Sequence, residues 1–170
     1  MNLFGLLRSR PVKRSPVGLP DSIELIWMPA YAIRLALSQG TKHSDTWVSV
    51  DASFGGFALF EREGILEEGA LEEECFTAII GVEEAKSLAR QGLLKYVMRR
   101  RGSKPLIDGV EEVCSYYQPV WVYYYYRFRK KIDLAVLDGY SGSPMGPQIR
   151  IAIVNALIQK RKMVAQRSSS

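Results

Sequence analysis

Two aspartates end apolar segments of the sequence and begin turns that are rich in serine and glycine. Asp51 lies in the segment VDASFG and Asp138 lies in the segment LDGYSG. A pair of carboxylates can act as the acid and the base of a catalytic site. An aspartate at the start of such a turn also accepts hydrogen bonds from the backbone N–H groups that follow it. We expect the turn role for both aspartates.

Other residue types that carry chemistry are few. His43 is the single histidine and lies in the polar segment 38–46, which we interpret as a loop. Cys75 and Cys114 are too few for a disulfide scaffold or a zinc site, and their apolar neighbours favour buried thiols. The segment 138–147 matches neither a P-loop nor a dinucleotide-binding fingerprint. We therefore expect no catalytic residues, no metal, no cofactor and no enzymatic activity.

The stretch VWVYYYYRFRKK, residues 120–131, is the strongest candidate for a binding surface. Successive side chains of a strand point to opposite faces, so four consecutive tyrosines cannot form one platform. We predict that Trp121, Tyr123 and Tyr125 enter the core and that the tyrosines between and after them are exposed. Aromatic and basic side chains together suit base stacking and phosphate contacts. The candidate partner or nucleic-acid surface consists of Tyr124, Tyr126, Arg127, Phe128, Arg129, Lys130 and Lys131.

The net charge of the chain is +5, and the excess of positive charge is concentrated at its two ends. Residues 1–20 and residues 159–170 each carry four cations and no acid, so the residues between them have a net charge of −3. This distribution argues against a nucleic-acid surface that covers the whole fold. We predict basic arms that could bind an acidic partner, formed by Arg8, Arg10, Lys13, Arg14, Lys160, Arg161 and Lys162.

Two segments of the chain resemble each other. Pro29 aligns with Pro119 at an offset of 90 residues, and Asp51 aligns with Asp138 at an offset of 87 residues. The difference is one loop that is three residues shorter in the second segment, and a hairpin loop absorbs such a deletion readily. We predict an internal duplication of an antiparallel hairpin, with copies at residues ~26–55 and ~116–142.

Two amphipathic helices complete the predicted fold. Apolar residues recur at helical spacing over 82–101, and a second helix is predicted over 147–160. We predict a pseudo-symmetric α+β fold in which duplicated antiparallel β-hairpins are covered on one face by these helices. The chain is predicted to begin with a basic flexible arm (1–21) and to end with a disordered tail (165–170). Between them we predict a single globular domain (22–164). Its two related halves (22–~80 and ~105–164) are joined by helix 82–101.

The aromatic strand, the hairpin and the closing aspartate turn resemble the PepSY-type module. In that family a hairpin carries a Trp-containing strand and ends on a turn similar to VDAxTG. The matching segments are VWV at 120–122 and LDGYSG at 137–142, and the first copy keeps VDAS at 50–53 with Tyr31 in place of the Trp. The family is mostly exported and binds or inhibits other proteins. The resemblance therefore implies two tandem hairpin repeats and a binding role.

We expect a non-enzymatic intracellular protein-interaction module, an accessory or adaptor subunit of a larger assembly in the cytoplasm. One alternative is a nucleic-acid-binding protein that uses the aromatic and basic hairpin together with the basic termini. Another is a peripheral membrane protein, because the apolar residues at 3–7 precede a basic segment and could make weak contact with a membrane surface. We expect neither a secretory signal nor a transmembrane helix, which would need ~20 apolar residues.

Overall fold

The computed structural model describes residues 6–7, 22–60, 66–67, 75–127, 131–139 and 141–167 of the chain. The chain has an α+β fold with a mainly antiparallel sheet and two helices. Its elements in chain order are β1 (Leu6–Leu7), β2 (Ser22–Gln39), β3 (Lys42–Asp51), β4 (Phe57–Leu59), β5 (Leu66–Glu67), α1 (Val82–Arg99), β6 (Leu106–Arg127), β7 (Lys131–Asp138) and α2 (Pro147–Arg167).

The chain divides into two compact units, and the boundaries between them lie within the long strands β2 and β6. The first unit includes β1 and the chain from Trp27 to Gln118. The second unit includes β2 up to Ile26 and the chain from Pro119 onward. The prediction of a single domain built from two sequence-related halves stays a prediction.

In the first unit the strand order is β4-β3-β2-β6-β1-β5. β2 and β3 pair without interruption up to Gln39 and Lys42, so only two residues form the turn between them. Gly40 adopts a φ of +62° in this turn, a conformation that costs glycine little. The interpretation of 38–46 as a loop is therefore wrong, because these residues extend the hairpin. His43 lies on β3.

The core of the first unit lies between α1 and one face of the sheet. Alternate residues of β2 and β3 are buried against α1, as the period of two in a strand requires. α1 contributes one buried residue in each turn, and its small Ala85 and Ala89 allow close approach to the sheet. The buried members of this core are Tyr31, Ile33, Leu35, Val48, Val50, Ala52, Ile80, Ala85, Ala89, Leu93 and Val97.

The opposite face of the first unit carries a polar network between β2 and β6. Arg34 Nε lies 3.2 Å from Glu111 Oε2, and Arg34 Nη2 lies 3.4 Å from Glu112 Oε2. Farther along, Ser38 Oγ donates a hydrogen bond to Asp108 Oδ1 at 2.8 Å. These contacts occur in opposite order along the two strands, so β2 and β6 are antiparallel. Partly exposed ion pairs of this kind contribute little stability individually.

In the second unit the end of β6 forms a hairpin with β7. The pairing runs from Val120 opposite Asp138 to Arg127 opposite Lys131. α2 packs against β7 and buries Ile153 completely. The described part of the second unit therefore combines this hairpin with the first residues of β2 and with α2.

The ends of three predicted segments differ from the structure. α1 ends at Arg99, two residues earlier than predicted. α2 continues to Arg167 because no glycine or proline follows residue 160 within it. Residues 165–167, which we predicted as part of a tail, belong to α2. Within the predicted arm 1–21, residues 6–7 form β1, which pairs with β5 and β6, and the flexible character of the arm stays a prediction.

Candidate interaction groove

Asp51 ends β3 and caps the turn that follows. Its Oδ1 accepts hydrogen bonds from the backbone N–H groups of Ser53 at 2.7 Å and Phe54 at 3.1 Å. Its backbone carbonyl accepts a hydrogen bond from the N–H of Gly55 at 2.9 Å. Gly55 has a φ of +78°, in the left-handed region that favours glycine. The predicted turn role of Asp51 is confirmed.

Asp138 has the same role at the end of β7. Its Oδ1 accepts a hydrogen bond from the N–H of Ser141 at 2.6 Å. Its carbonyl accepts one from the N–H of Gly142 at 2.8 Å, and Gly142 has a φ of +72°. The carboxylate is used by its own turn, as predicted, and the same holds for Asp51. Both side chains therefore have a structural function in the turns that they begin.

Burial raises the pKa of Asp51, and the hydrogen bonds from Ser53 and Phe54 lower it by less. The folded chain therefore holds the Asp51 proton more tightly than the unfolded chain does. The protonated Asp51 carboxyl therefore adds to the free energy of unfolding at a pH below its unfolded-state pKa. This contribution is lost as the pH rises through the folded-state pKa.

We expect the substitution Asp51→Asn to remove this pH dependence, because an amide keeps the Oδ1 acceptor and carries no charge. The free energy of unfolding of the original protein should fall relative to that of Asp51→Asn as the pH rises from below to above the usual pKa range of an aspartate. Urea unfolding at a series of pH values measures this difference. As a control, Asp51→Ala should be less stable at every pH because it lacks the acceptor. If the difference in stability between the original protein and Asp51→Asn does not change with pH, or changes in the opposite direction, the raised pKa of Asp51 is contradicted.

His43 is exposed on β3, directly opposite Ser38. The Ser38 hydroxyl donates its hydrogen bond to Asp108 rather than to the imidazole, so the pair lacks the arrangement of a nucleophile and its base. Within the ranges that the structure describes, no group of three or more His, Cys, Asp or Glu side chains could hold a metal ion.

The tyrosine stretch is only partly described. Tyr123 is buried, whereas Trp121 and Tyr124 are half-buried. The Tyr124 hydroxyl donates a hydrogen bond to Glu24 Oε2 at 2.8 Å, so this ring is tied to β2. The backbone of Tyr126, Arg127 and Lys131 belongs to the β6–β7 hairpin. The side chains of those three residues and of Tyr125, and the whole of Phe128, Arg129 and Lys130, lie outside the described residues.

The predicted basic arms are also mostly outside the described residues. Arg8, Arg10, Lys13 and Arg14 are not among them, and neither are the side chains of Lys160 and Arg161. Lys162 is described and is exposed on α2. The membrane hypothesis used residues 3–7, and two of these form β1. Of the helices that the structure describes, neither is both long enough and apolar enough to cross a membrane.

A groove of about 650 Å³ opens in the first unit at the end of α1. Leu37 and Thr46 lie on the helix-facing sides of β2 and β3, near the tip of the hairpin. The groove is lined by this part of the hairpin and by the last turns of α1. Its apolar wall consists of Leu37, Leu59, Leu93, Val97 and Pro105.

The polar side of this groove is positively charged. Arg100 and Arg101 line it, both are exposed, and the described lining residues include no carboxylate. The Arg100 guanidinium lies 5.1 Å from the centre of the Tyr96 ring, which holds the arginine beside the opening. Cations are also favoured at this position because the carboxyl end of a helix is electronegative. The remaining polar lining residues are Gln39, Thr46 and Ser103.

The sequence did not reveal this groove. Three arginines, Arg99–Arg101, end the helical pattern, and the helix dipole alone accounts for cations at that position. The groove brings together a hairpin tip, a helix end and the short strand β4, and these parts are distant in the chain. The run of arginines at the end of an amphipathic helix was the one available signal.

No family model matches the chain, and neither a curated protein nor a solved structure matches it.

Proposed function

We propose that the protein is a non-enzymatic protein-interaction module, an accessory or adaptor subunit of a larger assembly, and that the groove at the end of α1 receives its partner. The observation that carries this proposal is an open groove whose lining combines apolar residues with two exposed arginines. Interfaces between proteins commonly combine apolar anchors with arginine. The turn roles of Asp51 and Asp138 support the non-enzymatic part of the proposal.

We also propose that the two hairpins are copies of one ancestral unit related to the PepSY-type module. In both, the residue after the aspartate donates its N–H to a proline carbonyl, from Ala52 to Pro29 at 2.9 Å and from Gly139 to Pro119 at 2.8 Å. In both, the residue before the aspartate also pairs with a residue beyond the turn, Val50 with Phe57 and Leu137 with Pro144, at the same spacing along the chain. Each hairpin is followed in the chain by a helix.

The two turns differ in one detail. A Cβ atom at Gly139 would lie 2.5 Å from the Pro119 carbonyl oxygen, whereas Ala52 carries its Cβ at the corresponding position. The second turn is therefore packed more closely against its proline. This difference is compatible with two copies that diverged after duplication.

A photo-crosslinking amino acid at Ser103, which lines the groove, tests the proposed function. In a lysate of the source organism, it should form a covalent adduct with one protein, while the same group at the exposed Thr77 should not. The adduct partner should then bind the purified chain directly. Adducts that form equally at both positions, or an adduct with nucleic acid or lipid, would contradict the proposal.

Two matched leucine variants test the role of the apolar wall. Leu59 is 47% exposed and lines the groove, while Leu94 is 53% exposed on α1 and does not line it. Leu59→Ser should weaken the purified complex about tenfold or more, and Leu94→Ser should leave it within about twofold. Equal losses in the two variants would place the interface elsewhere.

A further inference from the structure

We infer that the partner segment bound by the groove is acidic, with carboxylates beside an apolar anchor residue. This inference rests on the proposed function and specifies the chemistry of the partner. It follows from the charge, the shape and the aromatic content of the groove.

The charge of the groove selects carboxylates. Arg100 and Arg101 are adjacent in the chain and both line the opening. A guanidinium group donates two parallel hydrogen bonds to a carboxylate, and such charged pairs are stronger than neutral ones. The described lining residues include no carboxylate, so an acidic ligand would pair with these two arginines.

The apolar lining residues of the groove favour an apolar side chain. Leu59 and Leu93 stand on different elements, β4 and α1, and both border the same space. A volume of about 650 Å³ is within the range of pockets that enclose a ligand, so the groove has room for more than one side chain of an inserted segment. An apolar anchor between carboxylates would use both walls at once.

The aromatic content argues against single-stranded nucleic acid as the ligand. Proteins that bind single strands use exposed aromatic faces on which bases stack. Tyr96 is the aromatic residue among the described lining residues, and the Arg100 guanidinium already lies over its ring. The groove therefore offers charge for phosphates without a stacking surface for bases.

The test uses the full chain and defined probes. A fluorescein-labelled peptide of four Glu-Glu-Leu repeats is compared with Gln-Gln-Leu and Glu-Glu-Ser repeats of the same length, and with a thymidine oligonucleotide. Fluorescence anisotropy at about 50 mM salt measures binding, because screening is weak there. The Glu-Glu-Leu peptide should bind about tenfold more tightly than either altered peptide and more tightly than the oligonucleotide.

Charge-matched variants separate the groove from the general charge of the protein. Arg100→Glu with Arg101→Glu should weaken binding of the Glu-Glu-Leu peptide about tenfold or more. Arg90→Glu with Lys95→Glu changes the net charge equally on exposed positions of α1 outside the groove and should change binding less than about threefold. If the reversed pair lowers the melting temperature, Arg100→Gln with Arg101→Gln repeats the test without new charges.

The outcomes distinguish the inference from the proposed function. Equal binding of the Glu-Glu-Leu and Gln-Gln-Leu peptides, tighter binding of the oligonucleotide, or equal losses in the two double variants would overturn the acidic ligand. An adduct at Ser103 with a neutral or basic protein segment would also overturn it, while leaving the interaction module intact. Failure of Ser103 to capture any protein would instead remove the proposed function.

Discussion

Replacing Tyr123 with alanine should destabilise the second unit by about 3–5 kcal/mol, the typical cost of truncating a buried aromatic side chain. Tyr123 is 2% exposed on β6 and pairs with Ala135 of β7. Removal of the ring leaves a cavity that the surrounding strands can fill only partly. Urea unfolding followed by circular dichroism measures the loss, and hydrogen exchange of β7 peptides assigns it to the second unit.

Variants of the neighbouring aromatic residues provide the comparison. Tyr124→Phe removes the hydroxyl that donates a hydrogen bond to Glu24 and should cost about 1–2 kcal/mol, since the acceptor is a carboxylate. Trp121→Ala should cost less than Tyr123→Ala because Trp121 is half-buried. If Tyr124→Phe or Trp121→Ala were as damaging as Tyr123→Ala, the burial of this strand would be wrongly assigned.

The sequence predicted this strand but only part of its burial. Alternation along the strand and its alignment with the first hairpin predicted that Tyr123 and Trp121 lie in the core. This is confirmed for Tyr123, which is buried, whereas Trp121 is only half-buried. A strand with one buried face would expose Val120 and Val122, but both of these residues are completely buried, so both faces of β6 are covered here. A period of two cannot reveal that both faces are covered, because the covering residues are distant in the chain.

The first half of β6 was not predicted at all. Its residues Ile107, Val110 and Val113 pack against the α1 core, but they are three residues apart, unlike the period of two in a regular strand. Polar residues such as Asp108 and Glu112 interrupt the apolar positions of this segment, and they contact polar residues of β2. Local pattern therefore identified α1 well, while the long strand and the groove depended on tertiary contacts.

Replacing Gly92 with leucine should destabilise the first unit by about 3 kcal/mol, near the upper end of the usual cost of overpacking. Gly92 lies within α1, where a Cβ atom would overlap Cγ and Cδ2 of Phe57 and lie 2.9 Å from its Cε2. Leucine has a much higher helix propensity than glycine, by up to about 1 kcal/mol, so propensity alone predicts the opposite result. Urea unfolding measures this loss of stability. The size of the loss reports how closely α1 must approach β4.

A control and a rescue decide whether contact with Phe57 is the cause. Ser87→Leu introduces the same side chain at an exposed position of α1 and should change stability by no more than about 0.5 kcal/mol. In a Phe57→Ala background the ring is absent, so Gly92→Leu should cost at least about 1 kcal/mol less than in the original protein. Because α1 and β4 both line the groove, Gly92→Leu should also weaken binding of the acidic peptide, and the Phe57→Ala background should restore part of that binding, since the overlap that displaces α1 is removed. Additive losses of stability in the double variant would mean that α1 and Phe57 are not in the close contact that the fold requires.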